Sequence, residues 1–210
     1  PSVSADFYPA NMPQYAYDKA KSVQLLEEAG LKPGAGGVRL SLRLLPAPWG
    51  EDISLWSTFI QQSLSEVGIR VEIVRNDGGG FLKQAYSDHA SVYAEHAFGL
   101  ATGWHQYRND PAVSTTVWYR SGQPAGAPWT NQWGWTDESI DKIIDAAATE
   151  IDPDKRKALY ADFVQRANTE LPLWMPIEQI FVSVLSAKLR NHSNTPRWGS
   201  SSWHDLWIAE

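Results

Sequence analysis

Two changes of hydrophobic period within forty residues constrain this chain most. From Val38 the apolar residues alternate, with Val38, Leu40, Leu42 and Leu44 opposed by Arg39, Ser41 and Arg43, the period of two expected of a strand with one wet face. Residues 51–67 change to helical spacing, with Ile53, Trp56, Ile60, Leu64 and Val67 on one stripe, and Gly68-Ile69 supplies the stop. Ile69, Val71 and Ile73 then alternate with Arg70 and Glu72. A strand, a long helix and a strand over this length form a βαβ unit, whose right-handed crossover predicts a parallel pair. The chain is therefore expected to be α/β, with a mixed sheet flanked by helices.

The flanking elements follow from caps and breakers. Asp18 is a candidate N-cap for a helix through Ala29, with Ala20, Val23 and Leu26 on one face and Gly30 as its stop. Asp77-Gly78-Gly79-Gly80 breaks the second strand as a flexible turn, and a helix is expected from Phe81 to about Tyr93. Phe98 to Trp104 is short and apolar, a third strand. A loop-like stretch runs to Trp135. Thr136 is the expected cap of a helix whose Ile140, Ile143, Ile144 and Ala147 share a face. Asp152-Pro153 pairs a cap with Pro at the first helical position, opening a helix that faces Leu159, Phe163 and Ala167 inward. Residues 173–185 offer a buried strand after Pro176, and the tail to Glu210 reads as irregular. Residues 1–17 carry three Pro and no period, an extended connector lying over something else.

Composition removes several function classes. The chain has 210 residues and a formal charge of -6, and its 18 Lys and Arg are scattered, so no basic stripe is available to a phosphate backbone. No nucleic-acid partner is expected. There is no Cys, hence neither a disulfide framework nor a thiolate zinc site. No apolar run reaches the length of a membrane span. The chain opens at Pro1, as a processed product or an excised fragment does.

Candidate chemistry is sparse. His89 and His96, seven apart beside Asp88 and Glu95, could be drawn as a metal site, but no HExxH pattern accompanies them and surface helical residues explain them better. The nearest approach to a nucleophile elbow, Gly199-Ser200-Ser201-Ser202-Trp203, ends in the wrong residue. Gly78-Gly79-Gly80 lacks both the P-loop Lys and the dinucleotide spacing. No catalytic residue, metal or cofactor is therefore expected. The chain has eleven Trp, five of them between Trp104 and Trp135. Core packing and a ligand-facing surface both account for that crowding. The segment Gly103-Trp104-His105-Gln106-Tyr107-Arg108-Asn109-Asp110-Pro111 follows a strand end, where ligands dock in α/β sheets. It gathers an indole, an imidazole, a phenol and a guanidinium, an assortment suited to binding. Trp104, His105, Tyr107, Arg108 and Asp110 are the candidate ligand-binding residues.

The order of these pieces resembles the bacterial solute-binding proteins of family 5, which serve ABC importers of peptides, nickel chelates and some oligosaccharides. The resemblance is carried by Tyr17-Asp18-Lys19-Ala20-Lys21 with Leu25-Leu26-Glu27-Glu28-Ala29-Gly30-Leu31, and by the join from Leu64 to Val71. It continues through Gly103-Trp104, Asp110-Pro111, Asp141 to Ile144, and Asp152 with Lys155-Arg156-Lys157-Ala158-Leu159-Tyr160. Leu171-Pro172-Leu173-Trp174-Met175-Pro176 completes it.

The resemblance implies a type II periplasmic-binding-protein-like fold of two lobes, of which this chain corresponds to the C-terminal lobe. Residues 1–17 would connect from the missing N-terminal lobe, residues 18–190 would form the ligand-binding lobe, and residues 191–210 would return toward the missing lobe. It further implies a periplasmic or extracytoplasmic protein, lipid-anchored in some forms, that hands a peptide or other small solute to an inner-membrane ABC permease. In the peptide binders an Asp three positions after this Gly-Trp holds the α-ammonium group; here that position is Tyr107. An oligosaccharide is thus the alternative cargo, and an α/β hydrolytic enzyme is the alternative of another class.

Overall fold

The computed structural model describes residues 7–9, 11–86, 100–102, 110–113, 116–124, 127, 130–131, 134–174, 184–192 and 204–209. Helix α1 (Lys19–Glu28) starts at its expected cap, the Asp18 carboxylate accepting from the Lys21 N–H at 2.8 Å. Strand β1 (Leu40–Pro46), helix α2 (Glu51–Ser65) and strand β2 (Ile69–Ile73) realise the βαβ unit. The two strands are parallel, with Leu40 opposite Ile69 and Leu44 opposite Ile73. Strand β3 (Leu100–Thr102) adds to the other edge of β1, also parallel, with Leu44 opposite Leu100 and Pro46 opposite Thr102. The sheet order is β2-β1-β3.

Gly68 is required by the turn into β2. Its φ is +84°, and a Cβ there would lie 2.7 Å from the Gly37 carbonyl oxygen. Its own carbonyl accepts from the Arg39 N–H at 2.7 Å, bringing the chain ahead of β1 against the start of β2.

The expectation of one wet face on β1 is corrected along its carboxyl half. Leu44 and Leu45 are both buried, at 0% and 1% exposure. Leu44 joins a cluster with Ile69 and Val71, against which Leu26 of α1 and Ile60 and Leu64 of α2 pack. Leu45 joins Ala47, Ile53, Phe81, Ala85 and Tyr86 instead. Successive strand residues face opposite ways, so this central strand is covered on both sides. The second cover is helix α3 (Gly78–Tyr86). It begins three residues before the expected start at Phe81, because Asp77 caps it: the carboxylate accepts from the Gly80 N–H at 2.7 Å and the carbonyl from the Phe81 N–H at 2.9 Å. The three glycines form its first turn rather than a loop. The expected extension toward Tyr93 lies outside the described residues.

A second core is helical. Helix α4 (Glu138–Thr149) and helix α5 (Pro153–Glu170) bury Ile140, Ile143, Ile144 and Ala147 against Tyr160, Phe163 and Ala167. The cap of α4 is Asp137, not Thr136: its carboxylate accepts from the Ser139 and Ile140 N–H groups. A carboxylate at the positive end of a helix is favoured over a neutral hydroxyl. Asp152 caps α5 as expected, and the helix ends on Leu171 in the left-handed region at φ 47°. Phe7, Met12 and Tyr15 lie against α5. Phe7 meets Tyr160 edge-on at 5.3 Å, and the Tyr15 hydroxyl donates to the Asn168 carbonyl at 3.1 Å. The tail is not wholly irregular, since strands β4 (Leu189–Arg190) and β5 (Trp207–Ile208) pair antiparallel. The strand expected within residues 173–185 falls mostly outside the described residues.

Candidate functional site

The strand order reverses at β1. The chain passes from β1 through α2 to one neighbour, and from β2 back through α3 to the other neighbour, β3. Ile60 and Leu64 of α2 pack on the Leu44 face of the sheet, and Phe81, Ala85 and Tyr86 of α3 pack on the Leu45 face. In parallel α/β sheets the usual ligand position is outside the carboxyl ends of the two strands on either side of such a reversal. Here those ends are Pro46 and Thr102, directly opposed.

From Pro46 the chain runs through Ala47, Pro48, Trp49 and Gly50 into α2. Ala47 is buried, and Trp49 is half-buried with its ring edge-on to Phe81 at 5.1 Å. From Thr102 the chain continues into the segment carrying the candidate ligand residues. Trp104, His105, Tyr107 and Arg108 lie outside the described residues; Asp110 lies within them.

Asp110 is the meeting point of two elements. Its Oδ1 accepts from the Ala112 N–H at 2.9 Å, closing the short helical turn Pro111–Val113. The same oxygen accepts from Arg156 Nη2 at 2.8 Å. Arg156, in the first turns of α5, also donates from Nε to the Ala147 carbonyl at 3.1 Å and from Nη2 to the Tyr160 hydroxyl at 3.2 Å. Its guanidinium carbon stands 4.9 Å from the Tyr160 ring centre. One planar fork thus ties the loop after β3 to both helices of the second core. Burial alone would raise the Asp110 carboxyl. The hydrogen bonds from Arg156 and Ala112, with the guanidinium charge, outweigh it and hold the group below its ordinary value. Burial also pushes the Tyr160 and Tyr119 hydroxyls up, so both remain neutral phenols at any physiological pH.

The Trp-rich stretch divides. Trp118 is 4% exposed in the helical core, and Trp135 packs against that core with its ring edge-on to Tyr119. Asn131, 2% exposed, fixes the return: its amide donates to the Arg120 and Trp135 carbonyls and accepts from the Trp135 N–H. These two indoles are core; Trp129 and Trp133 lie outside the described residues.

Arg156, which ties Asp110 to the helical core, was not singled out from sequence. Arg156 sits in the run Lys155-Arg156-Lys157, which reads as a solvated face, although an Arg three residues after a Pro at the helix start is a signal for a tether to the preceding loop. Among the described residues no group of three or more His, Asp or Glu is placed to hold a metal ion. His89, His96 and the whole Gly199 to Trp203 stretch lie outside them.

Comparison with known proteins agrees with this geometry. Residues 1–125 match the family model "Bacterial extracellular solute-binding proteins, family 5 Middle". "Di/tripeptide-binding protein 3" of Pseudomonas aeruginosa is 28% identical over 75% of this chain and 27% of its own length. "Dipeptide-binding protein" of Escherichia coli is 26% identical over 73% and 27%. The oligopeptide-binding protein AppA from Bacillus subtilis, solved with a nonapeptide, aligns over 97% of this chain and 40% of its own, with a TM-score of 0.69 at 18% identity. The periplasmic binding protein DppA from Helicobacter pylori, solved with the peptide STSA, aligns over 79% and 30% with a TM-score of 0.61 at 26% identity. The chain spans about a quarter to a third of the length of the curated relatives it matches. These relatives are binding proteins rather than enzymes, and their solved structures share the type II periplasmic-binding fold. With a family model matched over more than half its length, the chain belongs to the bacterial extracellular solute-binding proteins of family 5.

Proposed function

We propose that this chain forms the C-terminal ligand-binding lobe of the capture component of an ABC importer, acting in the periplasm or at the outer cell surface. Its cargo is a peptide or peptide-like solute. The observation that carries the reading is the pairing of the carboxyl ends of β1 and β3 at a reversal of strand order, just ahead in sequence of Trp104, His105, Tyr107 and Arg108. Those four side chains are assigned to the solute. Asp110 stands at the rim, its side chain 48% exposed and tied to α5 by Arg156.

Two lobes closing on a ligand account for the length of the relatives, and residues 1–17, whose Phe7 and Tyr15 touch α5, are the connector from the other lobe. The named partner is an inner-membrane permease, and a lipid anchor belongs to the same scheme. A second reading, an oligosaccharide cargo, is favoured by Tyr at position 107. A buried ammonium without an opposing carboxylate costs several kcal/mol, about a thousandfold in affinity. A tyrosine offers a ring face and a hydroxyl instead.

The test is calorimetric titration of the full protein with di- to pentapeptides, their N-acetylated counterparts and a panel of oligosaccharides. Binding of peptides that survives acetylation, or binding of oligosaccharides, fits Tyr107. Tight binding of free peptides that acetylation abolishes moves the amine anchor to Asp110 or to the other lobe. Absence of binding to every member of the panel overturns the peptide and oligosaccharide readings.

A further inference from the structure

We propose that the outer edge of β2 is a docking surface for a second copy of this chain. Two β2 strands pair antiparallel about a two-fold axis at Val71, and the Arg70 of each copy meets the partner's Glu72. This surface is separate from the β1 and β3 ends assigned to the solute.

The backbone sets the edge. Among the described residues β2 has a neighbour on one side only, β1. In a parallel pair both backbone groups of every second residue turn toward the neighbour. The Val74 N–H donates to the Leu44 carbonyl at 2.8 Å, and Leu44 stands opposite Ile73. That register turns the groups of Arg70 and Glu72 to β1, and those of Ile69, Val71 and Ile73 outward. The Val71 carbonyl agrees, accepting from Gln61 Nε2 of α2 at 2.8 Å instead of from β1. A carbonyl oxygen has two lone pairs, so this bond leaves one for a partner's N–H. An edge with outward N–H and C=O groups is a template for another strand.

The side chains select which strand. β2 reads Ile69-Arg70-Val71-Glu72-Ile73, apolar residues alternating with one base and one acid placed symmetrically about its centre. With the axis at Val71, Ile69 lies opposite the partner's Ile73 and Arg70 opposite the partner's Glu72. Opposite charges directly across a strand pair are favourable, and like charges are not. The Arg70 to Glu72 pair is a non-hydrogen-bonded one, in which facing side chains approach most closely. Both residues are exposed, and neither has an ion pair or side-chain hydrogen bond among the described residues. Arg43, opposite Glu72 on β1, is the neighbouring charge on that face and would flank the same carboxylate. Sliding the pair by two residues sets Arg70 on Arg70 or Glu72 on Glu72. Charge thus selects the register centred on Val71.

Helix α2 leaves room for the partner. Its side nearest the edge is marked by Gln61 on the Val71 carbonyl and by Ser54, whose hydroxyl accepts from Arg75 Nη1 at 2.8 Å. Thr58 and Ser65 complete that side at helical spacing, and their hydroxyls donate to carbonyls of the same helix. Side chains this short let two helices lie close together. The two copies of α2 can therefore run side by side on one face of the joined sheet.

The test is sedimentation velocity of the full protein from about 1 to 500 µM, with Arg70→Glu, Glu72→Arg and the variant carrying both changes. Wild type is expected to pass from one chain to two. Each single reversal sets like charges opposite one another on both sides of the axis and should weaken association about tenfold or more. An equimolar mixture of the two single variants should restore it, because every base then meets an acid across the axis. The variant with both changes should associate like wild type. Recovery in the mixture also separates lost pairing from lost folding, since a misfolded chain would not be rescued by its counterpart. Hydrogen exchange at the Ile69, Val71 and Ile73 amides should slow as concentration rises. A wild type that remains monomeric over this range overturns the proposal. So do single reversals that dimerise like wild type, or a mixture that stays monomeric. Solute capture is read by its own titration and stands or falls separately.

Discussion

Arg156 Nη2 lies 2.8 Å from Asp110 Oδ1, and through this contact the end of the loop that follows β3 is fastened to the start of α5. The same guanidinium reaches the Ala147 carbonyl and the Tyr160 hydroxyl. Lys cannot serve three acceptors in one plane. Arg156→Lys should therefore destabilise the protein by about 1–2 kcal/mol, since the pair is partly exposed and each charged hydrogen bond contributes modestly. A double-mutant cycle with Asp110→Asn, read by urea unfolding, should give a coupling energy of about 1 kcal/mol. Strict additivity would mean that the two side chains are neighbours without being coupled.

Acid should loosen this fastening. Asp110 and Asp137 both titrate below the ordinary carboxylate value of 3.8, Asp137 because the Ser139 hydroxyl and the first N–H groups of α4 donate to it. A carboxyl with a depressed folded-state value contributes stability that is complete above its unfolded value and is lost as pH falls through the folded one. The contribution of both groups is thus full at neutral pH and declines only below about pH 4. In Asp110→Asn the acid limb of the melting-temperature profile should be shallower than in wild type. Identical acid limbs would show that the Asp110 carboxylate has the same proton affinity folded and unfolded.

Gly30 and Gly68 separate backbone strain from collision. Both have positive φ, +80° and +84°, but nothing lies within 4 Å of a Cβ at Gly30, whereas one at Gly68 would strike the Gly37 carbonyl oxygen at 2.7 Å. Gly30→Ala should cost about 1 kcal/mol from conformation alone. Gly68→Ala should cost distinctly more, because the Arg39 to Gly68 backbone hydrogen bond must open to relieve the contact. Chemical denaturation of the two variants side by side measures the difference, and equal losses would refute the collision.

Leu45 and Leu55 test the double cover of the central strand. Leu45 is 1% exposed between β1 and α3, while Leu55 on α2 is 71% exposed. Leu45→Ala should cost about 2–5 kcal/mol, and Leu55→Ala should fall within about 0.5 kcal/mol of wild type. Were β1 wet on one side, the first substitution would be nearly as mild as the second.

Local chemistry was legible in the sequence wherever the deciding groups lie within a few residues of one another. The alternation of Leu40, Leu42 and Leu44, the stripe from Ile53 to Leu64, the caps at Asp18 and Asp152 and the stop at Gly68 each rest on neighbours along the chain, and each stands where it was expected. The Asp-Pro and Gly-Trp pairs carried the family in the same way. Tertiary structure decided the rest. Leu45 is buried because β3, more than fifty residues later, makes β1 a central strand and α3 covers its second face. Trp118 is core because α4 and α5 close over it. Arg156 leaves a basic run to span two helices and a loop. Periodicity and caps are properties of three or four consecutive residues, whereas burial is a property of whatever distant segment packs opposite, and no local pattern records that segment's identity.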